Sequence, residues 1–446
     1  MGISIRDSNG SDARTGSSTP ADPARANSLA DYACFLEKVR RDYDRAEAMY
    51  ERAMEADPTN ADNLGNYARF LRWERRDYDR AETLYKRAIE ADPTNADNLG
   101  NYAWFLWITS HYDRAEEMYE RAIKAHPTHA DNLRNYAWSL WRTRRNSDRA
   151  EALYERAIKA HPTHADNLRN YAWFLWRTRR DYDRAEALYE RAIEADPNDA
   201  HNIADYARFL EKIRRDHDRA ETMYERAIKA DPNDAHNLAD YAWFLWRTRR
   251  DYDRAEALYE RAIEADPNDA HNLADYAHFL HDVRRDYDRT ETMYERAIKA
   301  DPTNADNLGE YARFLEKVRR DYDRAETMYE RAIKAHPTNA HNLGDYARFL
   351  HDVRRDYDRA ETMYERAIKA HPTNAHNLGD YARFLEKIRR DYDRAETMYE
   401  RAINTHPTNA HNLRDYARFL EKIRRDYDRA ETMYERAIKA DPNHGQ

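Results

Sequence analysis

The sequence predicts an all-α protein, a superhelical α-solenoid built from twelve antiparallel helix hairpins. Three observations carry this prediction. A block that begins with alanine recurs at a spacing of 35 residues, and each block holds two runs with the apolar spacing of a helix face. Tyrosine is abundant and glycine scarce, with 34 Tyr against 9 Gly in 446 residues. Because neither helix of a block can bury its apolar stripe alone, the copies must stack on one another.

The repeats fill residues 26–444, as eleven copies of 35 residues and one copy of 34. They begin at Ala26, Ala61, Ala96, Ala130, Ala165, Ala200, Ala235, Ala270, Ala305, Ala340, Ala375 and Ala410. We number them 1 to 12 in this order. Residues 1–25 are rich in Ser, Thr, Asp and Gly and are predicted to form a disordered head.

Each repeat shows the i, i+3, i+4, i+7 spacing twice. In repeat 2 the first helix places Leu64, Tyr67, Ala68 and Leu71 on one face. The second helix does the same with Ala81, Leu84, Tyr85, Ala88 and Ile89. Asn60 and Asp77 stand where they can cap the first and second helix, and Pro93 follows the end of the second. The small alanines predict close approach of the two helices.

These repeats resemble tetratricopeptide repeats, and the resemblance covers 419 of 446 residues. The pattern of that family is met by Leu64, Tyr67, Ala68 and Leu71 in the first helix, and by Ala81, Tyr85, Ala88 and Pro93 in the second. One extra residue near Arg75 and Arg76, between the helices, makes the period 35. The resemblance implies a non-catalytic scaffold for protein partners, with the first helices lining a concave groove. A weaker resemblance, through Tyr119-Glu-Arg-Ala-Ile and its copies, is to the half-a-TPR repeats of RNA-processing scaffolds.

Eight of the nine tryptophans occupy two positions, one turn apart, on the groove side of the first helix. They are Trp104, Trp107, Trp138, Trp141, Trp173, Trp176, Trp243 and Trp246. Other repeats hold Arg and Glu at these positions, as in Arg313 and Glu316, which predicts that the positions are not deep core. The tryptophans are interpreted as platforms that bind a partner's cation or proline ring. The alternative is that they pack on one another and stiffen the array.

A row of asparagines accompanies the tryptophans where most other repeats hold an acidic residue, at Asn66, Asn101, Asn135 and Asn170. An amide donates and accepts hydrogen bonds, so such a row suits the backbone of an extended peptide. It is similar to the asparagine ladder in the repeat domain of O-linked N-acetylglucosamine transferase, and capping or hydrogen bonding between repeats is the alternative role. Arg134, Arg169 and Arg177 lie beside the tryptophans. These residues predict a peptide groove centred on repeats 2 to 7, whereas from repeat 8 a ladder of Asp, Arg and Glu is expected to form a solvated face.

No catalytic residues, cofactor or metal are predicted. The histidine pairs at 126 and 129, 161 and 164, and 278 and 281 are interpreted as exposed residues, because zinc needs three or four converging ligands. The glycines form no phosphate-binding loop. A net charge of -9 makes nucleic acid an improbable partner.

Membrane spanning is not expected, because the longest apolar stretch, 102–108, is too short. The single cysteine, Cys34, favours a reducing compartment, so a cytoplasmic location is predicted. The final repeat is followed by no polar capping helix, which predicts that its last helix is covered by a partner or by a second chain. A purely structural, self-associating solenoid is therefore a third alternative.

Overall fold

The computed structural model describes residues 22–144 and 146–441. These residues form 24 α-helices and no β-strand, arranged as consecutive antiparallel hairpins of an all-α solenoid. The chain divides into two compact lobes, Met1–Met223 and Tyr224–Gln446. We call them the N-terminal and C-terminal lobes and describe each by itself. No helix among the described residues is long and apolar enough to cross a membrane.

The hairpins pair each odd-numbered helix with the even-numbered helix that follows it. The helices α1 to α12 are Pro23–Phe35, Tyr43–Ala56, Ala61–Phe70, Tyr78–Ala91, Ala96–Ile108, Tyr112–Ala125, Ala130–Arg144, Ser147–Ala160, Ala165–Phe174, Tyr182–Ala195, Ala200–Phe209 and His217–Ala230. The helices α13 to α24 are Ala235–Phe244, Tyr252–Ala265, Ala270–Phe279, Tyr287–Ala300, Ala305–Phe314, Tyr322–Ala335, Ala340–Phe349, Tyr357–Ala370, Ala375–Phe384, Tyr392–Thr405, Ala410–Phe419 and Tyr427–Ala440.

The first helix starts before the first predicted repeat. It begins at Pro23, with the side chain of Asp22 accepting a hydrogen bond from the backbone N–H of Arg25. Residues 23–25, which were assigned to the disordered head, are therefore helical, because Asp22 caps them and proline is well suited to a first turn. Residues 1–21 of the predicted head, and the end of the last predicted repeat at 442–444, lie outside the described residues.

Side-chain caps start most of the described helices; α6 and α9, which follow His111 and His164, are exceptions. The Asn60 carboxamide accepts from the N–H of Asn63 at 3.1 Å, and Asp77 accepts from the N–H of Arg80 at 3.1 Å. Both caps were expected from the sequence, and they satisfy backbone donors that the helix itself leaves unpaired.

The extra residue of the 35-residue period lies within the first helix rather than in a loop. Leu71–Arg75 form a π-helical turn, and Arg76 ends it in the left-handed region at φ 56°. The Leu71 carbonyl accepts from the N–H of Arg76 and from that of Asp77. With this one, ten described repeats show such a turn, whereas α5 of the 34-residue repeat and α7 of repeat 4 continue as α-helices to Ile108 and Arg144.

Stacked tyrosines and small alanines form the core between repeats. Tyr50 and Tyr67 stack with ring centroids 5.3 Å apart, and Phe70 packs against Tyr50 at 5.3 Å. Ala68 and Ala81 are fully buried, which allows the helices to approach closely. The outer rim of each interface is polar: the Tyr67 hydroxyl, Arg75 and Arg80 all contact Glu47 of the preceding repeat.

Candidate functional site

The tryptophans of the N-terminal lobe pack against one another. Trp107 and Trp138 meet edge to face with centroids 4.5 Å apart, and Trp104 lies 5.2 Å from Trp138. Further along, Trp141 and Trp173 meet at 4.9 Å. Ring-to-ring packing, the alternative raised from the sequence, is therefore present, and it joins the first helices of neighbouring repeats.

Six of the eight paired tryptophans remain partly accessible, while Trp176 and Trp246 are only 9% and 5% exposed. The expectation that a position holding Arg or Glu is not deep core fails in some repeats at the second tryptophan position. At that position Glu37 and Arg72 are each 5% exposed. Glu316 is buried there as well, whereas Trp107 and Trp141 are half-buried, so the depth of this position differs between repeats.

The protein's own arginines cover most of the tryptophan faces. Arg142 lies over Trp141 at 5.5 Å, Arg177 over Trp176 at 5.2 Å, and Arg247 over Trp246 at 4.7 Å. Repeat 3 has Ile108 at the corresponding position, and within the described part of the chain no guanidinium lies over Trp104 or Trp107. The first tryptophan pair is thus the one whose ring faces are not already occupied by a cation.

The four asparagines of the predicted ladder differ in their contacts. Asn170 donates to the Asp166 carbonyl at 2.7 Å, and Asn135 accepts a long hydrogen bond of 3.4 Å from Arg134. Asn66 and Asn101 are half-buried, and their amides make no hydrogen bond to any other described residue. The free amides therefore lie in repeats 2 and 3, close in sequence to the uncovered pair Trp104 and Trp107.

Arg134 and Arg169 are neutralised within the lobe. Arg134 pairs with Asp131 at 2.9 Å, while Arg169 pairs with Asp166 at 3.0 Å and with Asp205 at 3.1 Å. Burial opposes the charge of Arg169, but the two aspartates outweigh it and raise the pKa of its guanidinium. Arg177, by contrast, is exposed above Trp173 and Trp176.

Arg134 and Arg169 also disturb the contact between repeats. Glycine at their position lets an asparagine of the next repeat donate to a backbone carbonyl, as Asn132 does to Ala96 at 2.8 Å. A Cβ on Gly100 would lie 1.9 Å from the Oδ1 atom of Asn132. After Arg134 and Arg169 the corresponding amides, those of Asn167 and Asn202, are buried without a partner.

Arg72, at the second tryptophan position of repeat 2, is a buried cation. Its Nε and Nη1 atoms have no hydrogen-bond partner, and burial lowers the pKa of its guanidinium. In repeat 1 the same position holds Glu37, which pairs with Arg69 at 2.9 Å and accepts from the Tyr50 hydroxyl at 2.7 Å. The sequence already marks Arg72 as unusual, because arginine occurs at this position in one of the twelve repeats.

The C-terminal lobe fills the equivalent groove positions with ion pairs. Arg348 contacts Asp345 at 2.6 Å and Asp380 of the next repeat at 3.6 Å, and Arg313 contacts Glu310 at 2.6 Å. Asp345 and Asp380 are only 7% and 5% exposed, so this ladder is more buried than the expected solvated face.

A cavity of about 230 Å³ opens beside this ladder, lined by His278, His281, Asp282, Glu310 and Arg313 among others. Asp282 contacts both histidines, at 3.3 Å from His278 and 2.8 Å from His281. In the described residues no group of three or more His, Cys, Asp or Glu is arranged to hold a metal ion.

Family models of helical repeats match most of the chain. Models described as tetratricopeptide repeats match residues 38–96, 144–213, 177–238, 213–275 and 350–410. The TPR repeats of TmcB match 308–377 and 392–446, the middle TPR-like domain of cilia and flagella-associated protein 70 matches 72–178, and a Sel1 repeat matches 269–302. A search of curated proteins found no match.

Solved structures of the same architecture are similar to the chain. Yeast Tom70 is 16% identical, with a TM-score of 0.50 and coverage of 94% of this chain and 97% of that one. The human IFIT1 dimer with PPP-AAAA is 15% identical, with a TM-score of 0.48 and coverage of 94% and 95%. Pseudomonas aeruginosa PilF is 18% identical, with a TM-score of 0.40 and coverage of 50% and 98%.

The stacked hairpins thus place the chain among α-solenoid scaffolds. The matching family models identify it further as a tetratricopeptide repeat protein, and so as a scaffold for protein interactions.

Proposed function

We propose that the chain binds an extended peptide segment of a protein partner, without catalysis, and that the main contacts lie on the first helices of repeats 2 to 4. Asn66 and Asn101 supply free amides for the peptide backbone, and Trp104, Trp107 and Trp138 supply partly exposed ring surface. Beyond this region, the groove residues proposed from the sequence extend through Trp141, Trp173 and Arg177 to Trp243.

One contrast carries the proposal. In the C-terminal lobe these groove positions hold charged residues that pair with each other, such as Asp345 and Arg348. The equivalent residues of repeat 3, Asn101 and Trp104, are uncharged and form no such pair. A groove whose polar groups are already paired gains little from a ligand, whereas free amides beside aromatic rings gain both hydrogen bonds and buried area.

A library of displayed 16-residue peptides, selected on the 446-residue chain, provides the probe. The test variant is Asn101→Asp/Trp104→Arg, which installs the residue types found at Asp345 and Arg348. We expect the affinity of an enriched peptide to fall at least ten-fold, while circular dichroism shows unchanged helicity. The reverse exchange, Asp345→Asn/Arg348→Trp, is the matched control and should leave that affinity within two-fold. Equal losses in the two variants, or no enriched peptide, would count against the proposal.

Binding of RNA, the alternative suggested by half-a-TPR repeats, has less support because Arg134 and Arg169 are already paired with aspartates. Titration with single-stranded RNA at two salt concentrations separates the two functions. Binding that weakens steeply with salt, in the absence of any enriched peptide, would favour the RNA scaffold. A cytoplasmic location stays a prediction from the single cysteine.

A further inference from the structure

Neighbouring repeats are joined by the same set of contacts at their polar rim. Between repeats 11 and 12 the Tyr416 hydroxyl donates to Glu400 at 3.1 Å, and Arg424 contacts Asp393 at 2.6 Å and Glu396 at 2.7 Å. Arg429 contacts Glu396 at 3.0 Å and Glu400 at 2.9 Å. One side of each interface therefore supplies a tyrosine and two arginines, and the other side supplies three carboxylates.

The first repeat presents the tyrosine and arginine side, and among residues 22–144 and 146–441 no further repeat packs on it. Tyr32 and Phe35 are 41% and 42% exposed, whereas the equivalent Tyr416 and Phe419 are 1% and 0% exposed. Arg40, the equivalent of Arg424, contacts no carboxylate among the described residues and lies over the Phe35 ring instead.

Arg45, the equivalent of Arg429, pairs only with Asp42 of its own helix start, at 3.3 Å, and donates to the Tyr32 hydroxyl at 2.8 Å. Residues 35–47 are identical in sequence to 314–326, a segment that forms this interface inside the C-terminal lobe. We call the group Tyr32, Phe35, Arg40 and Arg45 the N face.

The last helix presents the complementary carboxylates. The sequence of α24 is identical to that of α18 and α20, whose carboxylates all bind arginines of the following repeat. Asp428, Glu431 and Glu435 form no ion pair with any described residue. Ile438 is 69% exposed, whereas the equivalent Ile333 of α18 is 8% exposed. We call Asp428, Glu431, Glu435 and Ile438 the C face.

We propose that the N face of one copy docks on the C face of a second copy, head to tail, in the register that joins neighbouring repeats. Arg40 then pairs with Asp428 and Glu431, Arg45 pairs with Glu431 and Glu435, and Phe35 covers the ring of Tyr434. The two faces differ, so the contact is heterologous and each copy can bind one neighbour at either end.

The register of the contact between copies follows from sequence identity rather than from charge alone, because residues 35–47 and α24 are each identical to segments that meet other repeats inside the C-terminal lobe. Surface ion pairs contribute little individually, so most of the stabilisation comes from covering Tyr32, Phe35 and Ile438. The carboxylates and arginines fix which faces meet and in what orientation.

Two full-length variants, each with one altered face, test this arrangement. The first is Phe35→Glu/Arg40→Glu on the N face, and the second is Glu431→Arg/Glu435→Arg on the C face. All four side chains lie at the end faces, outside the core, so we expect helicity to be unchanged. The control, Glu55→Arg/Glu90→Arg, changes the net charge as the second variant does, at two exposed carboxylates without ion pairs.

Sedimentation velocity over a hundred-fold concentration range gives the result. The unaltered chain and the control should rise above the monomer mass of 53.2 kDa, while each altered variant alone should associate at least ten-fold more weakly. In an equimolar mixture of the two variants the intact N face of one can meet the intact C face of the other, so the mixture should associate more strongly than either variant alone. A mass of 53.2 kDa at every concentration, equal association of all variants, or a mixture that stays monomeric would each overturn the proposal.

Discussion

The second tryptophan position of the first helix holds different residue types in different repeats. The hydrogen bonds made there depend on which residue type is present. Where it is glutamate, the second-helix tyrosine donates to it, as Tyr329 does to Glu316 at 2.8 Å. Where it is tryptophan or arginine, hydroxyls such as those of Tyr85 and Tyr119 are buried without a partner. Arg72 therefore combines an unpaired charge with an unpaired neighbour, which makes it the least satisfied residue of the position.

Replacing Arg72 with leucine should stabilise the protein. The change removes a buried charge that has no partner on Nε or Nη1, and we expect the free energy of unfolding to rise by about 1–3 kcal/mol. Arg69→Leu is the control, for which the opposite change in stability is expected. It leaves the Glu37 carboxylate buried without its cation, so the free energy of unfolding should fall by about 3–5 kcal/mol. Urea denaturation followed by circular dichroism measures both, and a loss of stability in Arg72→Leu would contradict the assignment.

Gly344, in the first helix of repeat 10, should tolerate replacement by alanine but not by arginine. Asn377 donates to the Ala340 carbonyl at 2.8 Å across Gly344, and the same bond survives beside Ala239 and Ala274, at 3.2 and 3.0 Å. Beside Ala204, by contrast, the amide of Asn237 is buried without a partner. In Gly344→Arg we expect the amide to lose its partner, as Asn167 and Asn202 do, and the free energy of unfolding to fall by about 1–3 kcal/mol. Gly344→Ala should stay within about 1 kcal/mol of the parent in the same assay, since helix propensity offsets the displacement.

At the scale of elements, the π-helical turn explains how a 35-residue period fits a two-helix repeat. The turn absorbs one residue and ends in a left-handed arginine, a conformation that side chains with a Cβ rarely adopt. It also positions the preceding arginine, Arg75 in repeat 2, to reach Asp44 and Glu47 of the neighbouring repeat. The 34-residue repeat lacks the turn, and its contact with repeat 2 keeps the second arginine of the set, Arg114, the equivalent of Arg80, which pairs with Glu82 at 3.1 Å.

Glycine at the left-handed position should stabilise a repeat. Arg355 has a φ of 60°, is exposed and makes no ion pair, so its side chain contributes little else. We expect Arg355→Gly to raise the free energy of unfolding by roughly 1 kcal/mol, because glycine adopts this region without strain. Arg355→Ala keeps the Cβ and should be nearly neutral. The denaturant midpoints of the parent and the two variants measure the effect, provided that the free energy of unfolding falls with denaturant at the same slope in all three. An increase in stability for Arg355→Ala equal to that for Arg355→Gly would exclude the backbone explanation.

The helices and their caps could be predicted from the sequence because twelve copies repeat the same short-range signals, such as Asn60 and Asp77. The extra residue was expected near Arg75, between the helices, whereas the structure takes it up in a π-helical turn of the first helix. That form was not foreseen, since it depends on carbonyl geometry rather than side-chain type. The burial of Trp176 and the pairing of Arg169 were missed for a different reason. Both depend on residues about 35 positions away, Phe209 and Asp205, that the stacking of repeats brings into contact.

At the scale of the whole molecule, nearly identical repeats carry two kinds of groove surface. In repeats 3 to 5 of the N-terminal lobe the first helices hold asparagines and packed tryptophans, and in repeats 9 to 11 of the C-terminal lobe they hold a ladder of ion pairs. Repeat 7 of the C-terminal lobe also carries a tryptophan pair, Trp243 and Trp246. Many core residues beneath are of the same type in both lobes, such as Leu71 and Leu350, so the groove positions account for much of the difference. Selection for stability alone would not require such a difference, which is why the groove of the N-terminal lobe is the proposed binding site.

Hydroxyl-radical footprinting tests that site most directly, because it reads the accessibility of individual tryptophan side chains. With a saturating amount of the selected 16-residue peptide, the oxidation rates of Trp104, Trp107 and Trp138 should fall several-fold. The oxidation rates of Tyr287 and Tyr322, exposed residues at the starts of α16 and α18 in the C-terminal lobe, should not change. Unchanged oxidation of the three tryptophans at saturation would contradict the claim that the peptide lies on the first helices of repeats 2 to 4.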